Sequence, residues 1–116
     1  MLKNDFYKGS IEALLLQLIE QAGETYGYEL TQKALAYSEG KLKITEGTLY
    51  PLLHKLEAQG ILESEVKPYG NRSRKYYRLT KEGKKEQSKS LEQLKDFMIQ
   101  MQQFLTLKPF KNFINH

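Results

Sequence analysis

With 116 residues, no cysteine and a net charge of +4, the chain is sized for one domain with an appended element, and its core needs neither disulfide nor metal. The lack of Cys excludes disulfide frameworks, thiolate metal sites and Cys nucleophiles, and fits a reducing compartment. No apolar run approaches the ~18 residues of a membrane span, and the first residues, MLKNDFYKGS, lack a signal-peptide core, so a soluble cytoplasmic protein is expected, not secreted and not membrane-bound.

The charge is unevenly spread. Between residues 67 and 85 there are eight basic residues (Lys67, Arg72, Arg74, Lys75, Arg78, Lys81, Lys84, Lys85) against one acid, Glu82. All three arginines lie in that stretch, and the rest of the chain is slightly acidic. Such a local patch suggests a polyanionic partner; the plainer alternative is a solvated hairpin and helix start.

The first clear helix opens at Gly9-Ser10, with Ser10 as N-cap and Glu12 in the first turn. Ile11, Leu14, Leu15, Leu18, Ile19 and Ala22 form a broad apolar stripe that Leu16 widens, and Gly23 ends the helix. A short preceding helix would carry Phe6 and Tyr7. Thr25 is expected to cap a second helix to about Tyr37, burying Tyr28, Leu30, Ala34 and Leu35. Gly27 in its first turn either permits a close backbone approach or marks a start one residue later. Residues 41–44 read as a short edge strand.

The next stretch, residues 44–60 (ITEGTLYPLLHKLEAQG), has two unlike faces. Leu49, Leu52, Leu53 and Leu56 share one side by their i, i+3, i+4, i+7 spacing. Gly47, Tyr50, Pro51 and His54 fall opposite, where a purely structural helix would carry Lys, Glu and Gln. Thr45 is the N-cap candidate and Gly60 the stop. Pro51 lies beyond the first turn, so the helix is expected either to bend near its start or to become regular only near Leu49. The leucines suit a core and the other face suits the major groove of DNA, which is about 12 Å wide and admits a helix.

Residues 61–67 and 73–79 read as two strands joined by Pro68-Tyr69-Gly70-Asn71-Arg72, a hairpin with a basic tip. Tyr76 and Tyr77 suit hairpin core better than DNA contact. Thr80 caps a long final helix with Gly83 as a weak spot. Leu91, Leu94, Met98, Met101 and Leu105 then follow a 3, 4, 3, 4 spacing, a heptad seam widened by Phe97 and Phe104. That seam folds back on the first helix, pairs with a second copy, or does both. Lys108-Pro109 stops the helix, and Phe110, Phe113 and Ile114 are placed to tuck a tail against the interface.

The expected fold is therefore mainly α with a small β-hairpin wing: a winged helix-turn-helix over residues 1–80 and a dimerisation helix with its tail over 81–116. The candidate DNA contacts are Thr45, Thr48, Tyr50, Pro51, His54, Lys55, Arg72, Arg74 and Lys75. The candidate dimer contacts are Leu91, Leu94, Phe97, Met98, Met101, Phe104 and Leu105. With two His, no phosphate loop and no clustered carboxylates, neither catalytic nor metal residues are assigned, and no cofactor is expected. The rival reading is a winged-helix protein-interaction module without DNA binding.

Several motifs stand in order and at matching intervals: YGYEL (26–30), GTLYPLL (47–53), Leu56-Glu57, Gly60-Ile61-Leu62, RKYY (74–77) and LTKEG (79–83). On these the sequence resembles the PadR family of bacterial transcriptional regulators over about residues 9–85. The resemblance implies a winged-helix homodimer, usually a repressor, on pseudo-palindromic double-stranded DNA, with GTLYP opening the reading helix and residues 72–75 in the wing. It also implies the short family form, with one dimerisation helix over 81–107. Some relatives bind flat aromatic compounds between subunits; this chain has no Trp to stack on one, and Phe97, Met98 and Met101 suit a hydrophobic effector less well than plain dimer contact.

Overall fold

The computed structural model describes residues 2–107, with side chains from Gly9 onward. The elements run α1 (Leu2–Ala22), β1 (Thr25–Tyr26), α2 (Gly27–Tyr37), α3 (Glu46–Ala58), β2 (Leu62–Tyr69), β3 (Arg72–Leu79) and α4 (Lys81–Leu105). The sheet is antiparallel in the order β1-β3-β2, so it is a winged helix-turn-helix followed by a long helix.

One apolar cluster joins Ile11, Leu15, Leu16, Leu18 and Ile19 of α1 to Leu30 and Ala34 of α2, Ile44 of the segment before α3, Leu49, Leu53 and Leu56 of α3, and Leu62, Tyr77 and Leu79 of the wing. The stripe expected on the first helix is thus the centre of the core, except that Leu14 on its flank is exposed and Ala22 is only partly buried. Ser10 is not an N-cap: α1 begins at Leu2 and runs straight through it. A serine followed by an acid resembles a helix start, but the flanking turns supply enough helix-forming residues to continue it. Gly23 does end α1, at φ +78, with its N–H donating to the Ile19 carbonyl at 2.9 Å. The side chains of Phe6 and Tyr7 and the tail residues Phe110, Phe113 and Ile114 lie outside what is described.

Three further expectations are corrected. Thr25 does not cap α2; it is buried in β1 opposite Tyr77, its hydroxyl donates to Glu29, and Tyr26 takes the cap position. Tyr28 is 65% exposed rather than buried, whereas Leu30 and Ala34 are buried and Leu35 partly so. Residues 41–44 form no strand. Glu39 and Gly40 turn the chain through left-handed conformations (φ 56 and 82), the Ser38 hydroxyl accepts from the Leu42 N–H at 2.7 Å, and Ile44 drops into the core. The third strand comes from Thr25–Tyr26 instead, too short to show any alternation in the sequence.

Pro51 does not delay α3, which is helical from Glu46 through Pro51, with the N–H groups of Thr48 and Leu49 both on the Thr45 carbonyl. The carbonyl that Pro51 leaves without an N–H belongs to Gly47, an exposed residue, so solvent can satisfy it.

The base of the wing is locked to α4. The Thr80 hydroxyl donates to the Gly60 carbonyl at 2.5 Å and accepts from the Gly83 N–H at 2.9 Å, the expected cap. Gly83 is not a weak spot: a Cβ there would overlap the Ile61 carbonyl oxygen and sit 3.2 Å from a Leu79 methyl. Farther along, Gln87 of α4 is buried and donates to Gln17 of α1. Gly83→Ala should therefore destabilise the fold by about 3 kcal/mol, because backbone has to move to admit the methyl. Thermal and urea unfolding measure this; an unchanged midpoint would mean that the junction is not closed.

Candidate nucleic-acid interface

The burial of Leu49, Leu53 and Leu56, each at 0% exposure, fixes which side of α3 looks outward. That side carries Thr48, Tyr50, Pro51 and His54, with Gly47 beside them and Thr45 at the cap; all are exposed. Lys55 is exposed too, its ammonium 3.4 Å from Glu12 of α1. The predicted reading face is thus brought together on one surface.

Tyr50 is held by a close approach from α2. A Cβ on Gly27 would fall 2.5 Å from the Tyr50 hydroxyl oxygen and 3.0 Å from its Cζ, so only glycine leaves the ring its place. Both readings of Gly27 hold: it permits the close approach, and α2 starts at it, one residue later than a Thr25 cap would place it. Tyr26, Gly27, Tyr28, Tyr50, His54, Ser73, Arg74, Lys75 and Tyr77 line a cleft of about 410 Å³ between the start of α2, α3 and the wing.

Strand pairing sorts the wing residues onto two faces. Leu62, Ser64, Val66 and Pro68 stand opposite Leu79, Tyr77, Lys75 and Ser73; Glu63, Glu65, Lys67 and Tyr69 stand opposite Arg78, Tyr76, Arg74 and Arg72. Gly70 has φ +61 and Asn71 does not have positive φ, the pattern of a type II′ two-residue turn. Tyr77 is buried as expected, and burial pushes its phenol pKa up. Tyr76 is half-buried on the other face, with its ring edge against Tyr26 at 5.6 Å.

The basic patch is far less free than its sequence suggests. Arg78 pairs with Glu24 and Glu63 at 3.2 Å each and with Glu65 at 3.3 Å, and Lys67 pairs with Glu24 at 2.6 Å. Lys75 pairs with Glu57 of α3 at 3.3 Å, and Lys85 with Glu82 at 3.8 Å. The expectation counted cations along one segment, whereas antiparallel pairing and the α1–β1 turn bring acids from outside it. Among the described residues, Arg72 at the tip has no ion pair, nor have Lys41 and Lys43, which lead into α3 and were not singled out in the sequence.

Glu57 is the tie between α3 and the wing. Ser64 donates to it at 2.6 Å, and this bond, with help from Lys75, holds its pKa below the usual carboxylate value. A folded pKa below the unfolded one makes the tie complete at neutral pH and lost as pH falls through the lowered value. The bond from Lys67 lowers Glu24 in the same way on the other face.

A helix with few charges on its outward face, flanked by a hairpin and braced by a third strand, defines a winged-helix DNA-binding class. The description "Transcriptional regulator PadR-like family" matches residues 15–89, and the chain belongs to that family. It is a family of transcriptional regulators, not of enzymes. A transcriptional regulator of Mycobacterium tuberculosis (strain ATCC 25618 / H37Rv), Rv3488, is 38% identical over 87 residues, which is 71% of this chain and 78% of that protein. A PadR family regulator from Eggerthella lenta DSM 2243 has a crystal structure that aligns with TM-score 0.76 and 29% identity, covering 92% of this chain and 91% of its own. The Bacillus subtilis PadR in complex with operator DNA aligns with TM-score 0.64 and 26% identity, over 71% of this chain and 45% of its own.

Gly27→Ala should displace the Tyr50 ring with little loss of stability, since the far end of a side chain yields rather than backbone. Ring-proton shifts of Tyr50 and the melting temperature report the two effects. A melting loss as large as that for Gly83→Ala would mean that the α2 backbone moves instead.

Proposed function

We propose that this regulator binds specific DNA sequences in the cytoplasm as a homodimer and represses the promoters it occupies. The single observation that carries the reading is the outward face of α3, where Thr48, Tyr50, Pro51 and His54 stand exposed opposite three fully buried leucines. Such a helix fits the major groove, where hydroxyl and imidazole groups reach base edges or phosphates. Thr45, Lys55, Lys75 and Arg72 ring it as phosphate contacts, and Lys41 and Lys43 join them. Lys55 and Lys75 exchange exposed carboxylates for phosphates on binding, at small cost because exposed ion pairs contribute little.

The dimer reading rests on α4. Its first half, through Gln87, Leu91 and Leu94, is covered by the body of the chain, with Leu91 and Leu94 partly buried. Its second half exposes Met98 at 62%, Met101 at 42%, Phe104 at 69% and Leu105 at 83%. These continue the heptad seam, and a second α4 covers them by the same spacing. Two reading helices joined in this way match a two-fold operator. Repression follows where that operator overlaps a promoter.

Binding to duplex DNA should fall steeply with salt, and Arg72→Ala should flatten the log–log slope by about one. Fluorescence anisotropy over a salt series checks this; a salt-insensitive complex would favour the protein-docking alternative. Met98→Glu should sediment as a monomer and lose most affinity for an operator with two half-sites. A dimeric Met98→Glu would remove the seam from the interface.

A further inference from the structure

Arg74 is half-buried on the outer face of the wing, and its surroundings are not those of a waiting phosphate contact. Its guanidinium carbon lies 3.8 Å from the ring centroid of Tyr26 and 3.4 Å from that of Tyr69. At these distances the guanidinium is packed against both rings at once. Tyr26 belongs to β1, ahead of α2; Tyr69 is the last residue of β2, at the wing tip. Tyr26 is held in turn by the edge of Tyr76 at an interplanar angle of 75°. Tyr69 pairs directly with Arg72 across the hairpin turn.

We infer that Arg74 is a positioning residue: stacked between Tyr26 and Tyr69, it fastens the wing tip to the start of α2 and so aims Arg72 at the DNA backbone. The inference rests on the DNA-binding reading above and assigns Arg74 a role other than direct contact. Three features support it. Glu24, Glu63 and Glu65 take up Arg78 near the base of the wing and Lys67, which stands opposite Arg74, and none of these pairs reaches the tip residues 69–72. The tip itself, Tyr69 to Arg72, is exposed, and a two-stranded ribbon is by itself marginally stable. The stack also needs a planar cation. A lysine keeps the charge but is a compact, strongly hydrated point charge that does not fill the space between two rings.

The test uses the full chain and a duplex selected from random-sequence DNA by the wild-type protein. Arg74→Lys, Arg74→Ala, Arg72→Ala, the Arg72→Ala/Arg74→Ala double variant, Tyr69→Ala and Tyr69→Phe are compared by anisotropy across a salt series. Arg72→Ala should lose about tenfold in affinity and about one unit of salt slope. Arg74→Lys should lose as much as Arg74→Ala, and the double variant no more than either single one. Tyr69→Ala, which removes no charge, should lower the slope by the same unit, while Tyr69→Phe should behave as wild type. A wild-type-like Arg74→Lys, or additive losses in the double variant, would make Arg74 a direct contact and overturn the inference. A Tyr69→Phe as weak as Tyr69→Ala would assign the effect to the Tyr69 hydroxyl rather than to its ring and overturn the stacking role. Amide exchange of the tip without DNA provides the separate reading: Arg74→Lys should speed exchange at residues 69–72 with the base of the hairpin unchanged. Unchanged tip exchange overturns the positioning role even where no DNA binds; failure of the wild-type chain to bind duplex overturns only the DNA-binding reading.

Discussion

The burial of Leu49, Leu53 and Leu56 on the α1-centred core is the constraint on which the functional surface depends. Each such leucine contributes about 1.5–3 kcal/mol on removal from water. A helix turns about 100° per residue, so even a one-residue rotation of α3 would lift part of this set off the core. The rotation of α3 is therefore fixed by apolar burial, and the identity of the outward residues follows without any contribution from them. The leucines set the rotation of the helix, and Glu57, Tyr50 and Lys55 add ties to the wing, α2 and α1.

The wing is held by a different kind of interaction. Its cations are mostly spent inside the protein, on Glu24, Glu57, Glu63 and Glu65, and these exposed pairs orient the hairpin more than they stabilise it. Glu57 links α3 to the inner face of the hairpin, and the stack of Tyr26, Arg74 and Tyr69 links α2 to the outer one. Tyr26 and Gly27 are consecutive, so one short stretch positions both the wing and the Tyr50 ring of α3. The wing and α3 are in this way referred to one point on the body.

Much of the fold was legible in the sequence because apolar periodicity and caps carry it. The helices at 46–58 and 81–105, the hairpin, Thr80 as cap and Leu49, Leu53 and Leu56 of the leucine face stand, although the turn is Gly70-Asn71 rather than 68–72, α4 ends at Leu105 rather than 107, and Leu52 is only partly buried. What the sequence hid was everything set by contacts between distant segments. Thr25 looks like a helix cap because its hydroxyl suits one, but pairing with Tyr77 makes it a strand. Gly83 looks like a defect in a helix until the Ile61 carbonyl is placed beside it. The basic patch looked uncompensated because Glu24, Glu57, Glu63 and Glu65 lie outside the segment being counted. The outward face of α3 was legible residue by residue, whereas the stack around Arg74 required three elements to be placed at once.

The face of α3 opposite its leucines, together with the wing tip, is the surface proposed to meet DNA. Backbone chemical-shift mapping of the labelled chain on addition of a duplex reads that surface residue by residue. The largest shifts are expected at residues 45–55 and 70–73, with the distal part of α4 little affected. Shifts confined to α4 or to the outer surfaces of α1 and α2, with residues 45–55 silent, would contradict that proposal.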